Sequence, residues 1–178
     1  DAEKGTLNSG EGFWKGILGG GNLITGAEIG LSDFGISGDA NSTSCGNVTG
    51  SLTLTANVST TTTCFTINAS NIVLDCAGFT VKGDKGADDY GIANNGYDNV
   101  TISNCIISTF VRGIYVYTNA DRNNILNNTL TNSTHNIYID TNSANGTIYN
   151  NTFNDNTDTT GVYFNNGDCQ HLYAGREI

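Results

Sequence analysis

The tightest constraint on this chain is a spacing of 23 residues. TISNCII (101–107), NILNNTL (124–130) and TIYNNTF (147–153) superpose when each is moved by 23 positions. The shift aligns Ile102, Ile125 and Ile148, then Asn104, Asn127 and Asn150, then Cys105, Asn128 and Asn151, and finally Ile107, Leu130 and Phe153. A second register keeps step: GIYV (113–116), NIYI (136–139) and GVYF (161–164) recur after 23 and 25 residues, and GIA (91–93) fits one repeat earlier. Upstream, NIVLDC (71–76) matches NVTISNC (99–105) with a slip of one residue.

Within each unit, apolar and polar residues alternate for a few positions and then break at Asn, Asp or Gly, which is the pattern of short strands and tight turns. No segment has the period of a long amphipathic helix. A repeat of this length made of strands describes a solenoid whose turns stack about 4.8 Å apart, so equivalent residues form columns. Columns of Ile, Leu and Phe fill its interior. The Cys105, Asn128, Asn151 column falls at a bend, where stacked amides hydrogen-bond from turn to turn; a buried Asn lacking such partners would be costly. Asn127 and Asn150 beside it are expected to point outward, and Asn tolerates the left-handed backbone that bends require.

Composition agrees. The chain holds no proline, although average usage of about 5% would supply roughly nine. Uninterrupted backbone ladders account for that. With 178 residues, 37% of them hydrophobic, one folded body with a continuous core is expected. The net charge of −10 comes without a basic cluster, which argues against a nucleic-acid or anionic-membrane surface. No run approaches the roughly 18 apolar residues that span a bilayer, and the start Asp1-Ala2-Glu3 reads as that of a processed, mature chain. Nine N-x-[S/T] sequons head at Asn41, Asn47, Asn57, Asn68, Asn99, Asn127, Asn132, Asn145 and Asn150. Chance in so Asn- and Thr-rich a chain gives about five. Together with five cysteines they point to a secreted or cell-surface protein carrying N-glycans.

The pattern N-x-I-x-x-N…G-I-x-V resembles the right-handed parallel β-helix, pectin-lyase-like family, in the short-repeat form of many archaeal and bacterial surface proteins. The likeness covers about residues 45 to 165. It implies an all-β solenoid of about five rungs and says little about activity. A leucine-rich repeat has a similar period but needs an L-x-x-L-x-L consensus that is missing here. Residues 45–178 are therefore read as the solenoid and 1–44 as an N-terminal extension. In that extension Leu23, Thr25, Ala27, Ile29 and Leu31 alternate with other residues as one face of a strand, which either caps its own chain or is donated to a neighbouring subunit. Ends of different shape join heterologously, and a heterologous contact that does not close builds a filament.

Chemistry-bearing residues are few. Asp84, Lys85, Asp88 and Asp89 share one loop, but their spacing is not that of an EF-hand, so solvated charges are expected rather than calcium. Arg112 and Arg122 have no acidic residue recurring beside them at repeat spacing. His135 and His171 have no Cys or Glu at ligand spacing and are expected at the surface. No catalytic site, metal or cofactor is expected. Cys45 and Cys64 bracket the first rung and are expected to form a disulfide; Cys76 and Cys105 share a column and either pair or pack as thiols; Cys169 is left over. Tyr115, Tyr138 and Tyr163 form an outward column, either a sugar-stacking strip or an aromatic ladder that stabilises the sheet. The leading expectation is a self-assembling subunit of an extracellular filament, sheath or surface layer, its partners being copies of itself. A glycan-binding or adhesive module is the alternative, and a polysaccharide-degrading enzyme a more distant one.

Overall fold

The computed structural model describes residues 40–154 and 161–165, and the backbone of 172–177. Short strands wind a parallel solenoid with three faces, A, B and C, and every paired neighbour runs parallel. A partial opening turn holds β1 (Ala40–Ser42, face A) and β2 (Gly46–Val48, face C). Five full turns follow in the order A, B, C. They are β3 (Leu52–Leu54), β4 (Val58–Ser59) and β5 (Phe65–Ile67); then β6 (Val73–Asp75), β7 (Thr80–Lys82) and β8 (Tyr90–Asn94). The third turn is β9 (Thr101–Ser103), β10 (Ile106–Ser108) and β11 (Arg112–Val116), and the fourth is β12 (Asn124–Leu126), β13 (Thr129–Thr131) and β14 (His135–Ile139). In the fifth, β15 (Thr147–Asn154) bends through faces A and B before β16 (Val162–Phe164). β17 (Leu172–Glu177) then pairs along β15. Among the described residues the ladder is already paired at Ala40 and extends past Phe164 to β17.

The repeat columns, spaced 22 or 23 residues, are real pairs. Ile102, Ile125 and Ile148 stack on face A, Ile107, Leu130 and Phe153 on face B, and Ile92, Ile114 and Ile137 on face C, all buried. Each such side chain contributes about 2 to 3 kcal/mol of burial. Gly91 and Gly113, which open β8 and β11, leave no room for a side chain: a Cβ on Gly91 would stand 2.5 Å from the Gly113 carbonyl oxygen, and one on Gly113 2.6 Å from that of Asn136.

Strands pair through their own backbones, so the polar problem lies at the corners. It is solved at the same period. The buried N–H groups of Val100, Cys105, Phe110, Ala120 and Asn128 donate to Asn123, Asn128, Ser133, Ser143 and Asn151 respectively, each 23 residues later. Asn128 and Asn151 also donate to the carbonyls of Ile102 and Ile125, so each amide bridges neighbouring turns. The outer side of these corners needs left-handed backbone. Among the described residues, nine of the fourteen non-glycine residues with positive φ are Asn, in columns such as Asn104, Asn127 and Asn150. Asn127 and Asn150 are exposed and bonded to each other, as their outward placement requires.

Two disulfides staple the early turns. Cys45 pairs with Cys64 as expected, and Cys76 pairs with Cys105 rather than packing as a thiol. Around that second bridge lies the irregularity seen as a sequence slip. Leu74 pairs with Ile102, 28 residues on, whereas Val81 pairs with Ile107, 26 on, because the corner Cys76–Phe79 carries two extra residues. Cys169 and the expected strand face of Leu23, Thr25, Ala27, Ile29 and Leu31 lie outside the described residues. Among the described residues no helix is long and apolar enough to cross a membrane.

Candidate functional site

The largest cluster of chemistry-bearing side chains lies on the outside of face C, where β8, β11, β14 and β16 run side by side. Outward positions on successive strands bring Tyr90, Arg112 and His135 into one column and Ala93, Tyr115, Tyr138 and Tyr163 into the next. At its centre, the Arg112 guanidinium carbon is 4.4 Å from the Tyr138 ring centroid, 4.6 Å from that of Tyr115 and 5.3 Å from that of Tyr90. Its Nη1 donates to the Tyr90 hydroxyl at 3.0 Å. Tyr115 packs against Tyr117, edge-on to Tyr90 and Tyr138, while Tyr138 and Tyr163 stack at 4.8 Å. His135 stands edge-on to both stacked rings.

At the far rim, the Tyr115 hydroxyl donates to Asp140 Oδ2 at 2.7 Å, and Asp140 Oδ1 accepts from Asn165 Nδ2 and the Thr141 N–H. Burial pushes the Asp140 carboxyl up, but these three donors, with help from Arg112, outweigh it and hold it below the usual carboxylate range. Burial, then the bond to Asp140 and its charge, push the Tyr115 phenol far up. Burial raises Tyr117 and Tyr138 too. Burial lowers His135, and the Arg112 charge lowers it further. At neutral pH the face therefore presents neutral phenols and imidazole around one permanent cation.

The unpartnered polar atoms collect here as well. Among the described residues, the buried side-chain atoms without a hydrogen bond are Asp89 Oδ2, Arg112 Nε, His135 Nδ1 and both amide atoms of Asn136. All four residues sit at the entry to face C on three consecutive turns. Buried polar groups normally find partners, so this concentration marks the region as polar and under-satisfied.

Several sequence expectations change. Tyr115 is buried at 8% exposure, under its aromatic neighbours, and offers no ring to a ligand; Tyr163, at 37%, does. His135 is half-buried in the cluster rather than a free surface residue. Asp89 is buried and accepts the Val111 N–H, while Lys85 donates to Asn132, so the acidic loop is partly built into the fold. Arg112, set aside in the sequence for want of a recurring acidic neighbour, finds aromatic partners instead; the tyrosine column and the 22-residue step back to Tyr90 were the available signal. Arg122 does find a carboxylate, Asp98, at 3.1 Å. Of the sequons, Asn41, Asn47, Asn57, Asn99, Asn127, Asn132, Asn145 and Asn150 are exposed and Asn68 is half-buried.

A family model described as "Right handed beta helix region" matches residues 53–173, about two thirds of the chain. The chain belongs to the right-handed β-helix family. No curated protein and no solved structure matches it.

Proposed function

We propose that the chain is an extracellular β-helical module that presents a sugar-contact surface on face C. The observation that carries this reading is the ring pair of Tyr138 and Tyr163 beside a guanidinium, with Asp140 and Asn165 at the rim. The C–H face of a pyranose packs on an aromatic ring, while its hydroxyls pair with fixed polar groups nearby. Two disulfides and nine sequons support an oxidising, extracellular setting in which N-glycans cover the remaining surface. The cluster offers recognition chemistry rather than catalysis: a permanent cation, neutral phenols and a carboxylate already holding three donors. Binding to an immobilised glycan panel tests the reading. Tyr163→Ala and Tyr138→Ala should abolish binding, whereas Tyr149→Ala, at an exposed ring on face A, should leave it intact. Binding that survives both face C substitutions would overturn it.

The self-assembling filament, sheath or surface-layer subunit is a second reading with its own support. Residues 40–74, which build β1 to β5 and most of β6, contain no charge and no proline, the devices that normally blunt exposed strand edges. Among the described residues β1, β2 and β4 are the edge strands at this end, β4 because the opening turn has no face B strand. Head-to-tail joining there, by the opposite solenoid end or by the donated strand Leu23 to Leu31 of another copy, would continue the ladder. Negative-stain imaging across concentrations decides: regular fibres support self-assembly, and discrete particles at every concentration sink it.

A further inference from the structure

We propose that N-glycans on Asn41, Asn47 and Asn57 guard the amino-terminal end of the solenoid, so that their presence or absence sets whether another copy of the chain adds there. The inference rests on the extracellular, N-glycosylated reading above and states which sequons matter and for what. Among the described residues the edge strands at that end are β1, β2 and β4, one on each face. Each meets one sequon. Asn41 is the middle residue of β1, Asn47 is the middle residue of β2, and Asn57 directly precedes β4. All three are exposed. Asn41 pairs with Thr53, between Leu52 and Leu54 of the core side, and Asn47 heads the outward column that runs through Thr66 and Ala93 to Tyr115. Asn57 Oδ1 accepts the Thr80 N–H at 2.8 Å, a bond compatible with a sugar on Nδ2.

The fold does not account for these three asparagines. Five other sequons, at Asn99, Asn127, Asn132, Asn145 and Asn150, begin at left-handed corners, whereas Asn41, Asn47 and Asn57 are not among the residues with positive φ. They stand six and ten residues apart, off the repeat, and Asn is disfavoured within strands. What this end lacks is a guard of another kind. Exposed strand edges are normally blunted by charge or proline, and residues 40–74 contain neither. Residues 155–178, which include β16 and β17, hold five charged residues and no sequon. The two ends thus divide the devices, with charge at one and glycan acceptors at the other. A strand added by a second copy must lie about 4.8 Å from β1, β2 or β4. A bulky, hydrated glycan rooted on the middle of a three-residue strand stands in its path.

The test begins with glycopeptide mapping of the native, full-length protein, in which Asn41, Asn47 and Asn57 should be occupied. A variant with Thr43→Ala, Thr49→Ala and Ser59→Ala keeps the three asparagines and removes their sequons. Thr134→Ala, at an exposed position in the fourth turn, removes that of Asn132 and serves as the control. In sedimentation velocity across concentrations, wild type and control should stay one discrete species, while the triple variant should at least double its average mass and grow further with concentration. Stripping glycans enzymatically from the folded wild-type protein should give the same growth, so a folding defect in the variant cannot mask the answer. Glycans at other sequons with these three bare would overturn the inference and leave the N-glycosylated reading standing. No glycan at any sequon would overturn both. Occupied edge sites whose loss leaves the protein as discrete as the control, or fibres built from copies carrying all three glycans, would overturn the guarding role.

Discussion

Asparagine does two separable jobs in this chain, and neighbours in sequence divide them. Asn127 and Asn150 hold left-handed corners on the outside, while Asn128 and Asn151 bridge turns on the inside. Asn128→Ala should therefore cost about 2 to 4 kcal/mol, since it strands the Cys105 N–H and the Ile102 carbonyl. Asn150→Ala should cost about 1 to 2 kcal/mol through its backbone conformation, and Asn150→Gly much less. Urea midpoints of the three variants check the ranking. The inner ladder was legible because its spacing is invariant. The sequons were legible but ambiguous, because five of the nine begin at left-handed corners, where Asn suits the bend, and in four of these Thr suits the strand two residues on. Their excess is partly a consequence of the fold, so intact mass of the native protein is what decides glycosylation. Titration of His135 gives a third residue-level expectation. Its lowered proton affinity means the unfolded chain binds the proton better, so its contribution to stability is full above the ordinary value of 6.5 and falls as pH drops through it. Arg112, Tyr138 and Tyr163 surround it. His135→Gln should flatten the pH dependence of the unfolding midpoint below the ordinary value of 6.5.

At the scale of the element, each strand is too short to persist alone and depends on its corner. Strand types, faces and order could be read from alternation and period, since side chains that alternate in a strand must stack in a column. The face C cluster was legible only in part: the Tyr115, Tyr138 and Tyr163 column follows the repeat, but its joining to Arg112 through ring packing and a cation leaves no periodic trace. The corner Cys76–Phe79 was visible as a slip, and its two extra residues coincide with the Cys76–Cys105 bridge. Replacing both cysteines with serine should cost about 3 kcal/mol, read as a lower denaturant midpoint with unchanged slope. Gly113→Ala tests the close approach at the start of β11. Its new methyl meets the Asn136 carbonyl and the Leu130 side chain, so a loss of about 1 to 3 kcal/mol is expected by thermal unfolding.

Across the whole molecule, stability is a sum over stacked turns in which each contacts mainly its neighbours. Hydrogen exchange should accordingly be slowest in the third and fourth turns, and reduction of the disulfides should raise exchange in the first three turns before it reaches the fifth. The buried corner acceptors also give the molecule a direction in time. Asn123, Asn128, Ser133, Ser143 and Asn151 each satisfy a main-chain group in the turn before, whereas buried Asp89 takes the Val111 N–H of the turn after. A chain emerging amino end first therefore cannot complete a turn until the next has left the ribosome or the export channel, so folding trails emergence by one repeat. The two disulfides fall within residues 45–105, the part that appears first, and can hold a seed in place while its successors arrive.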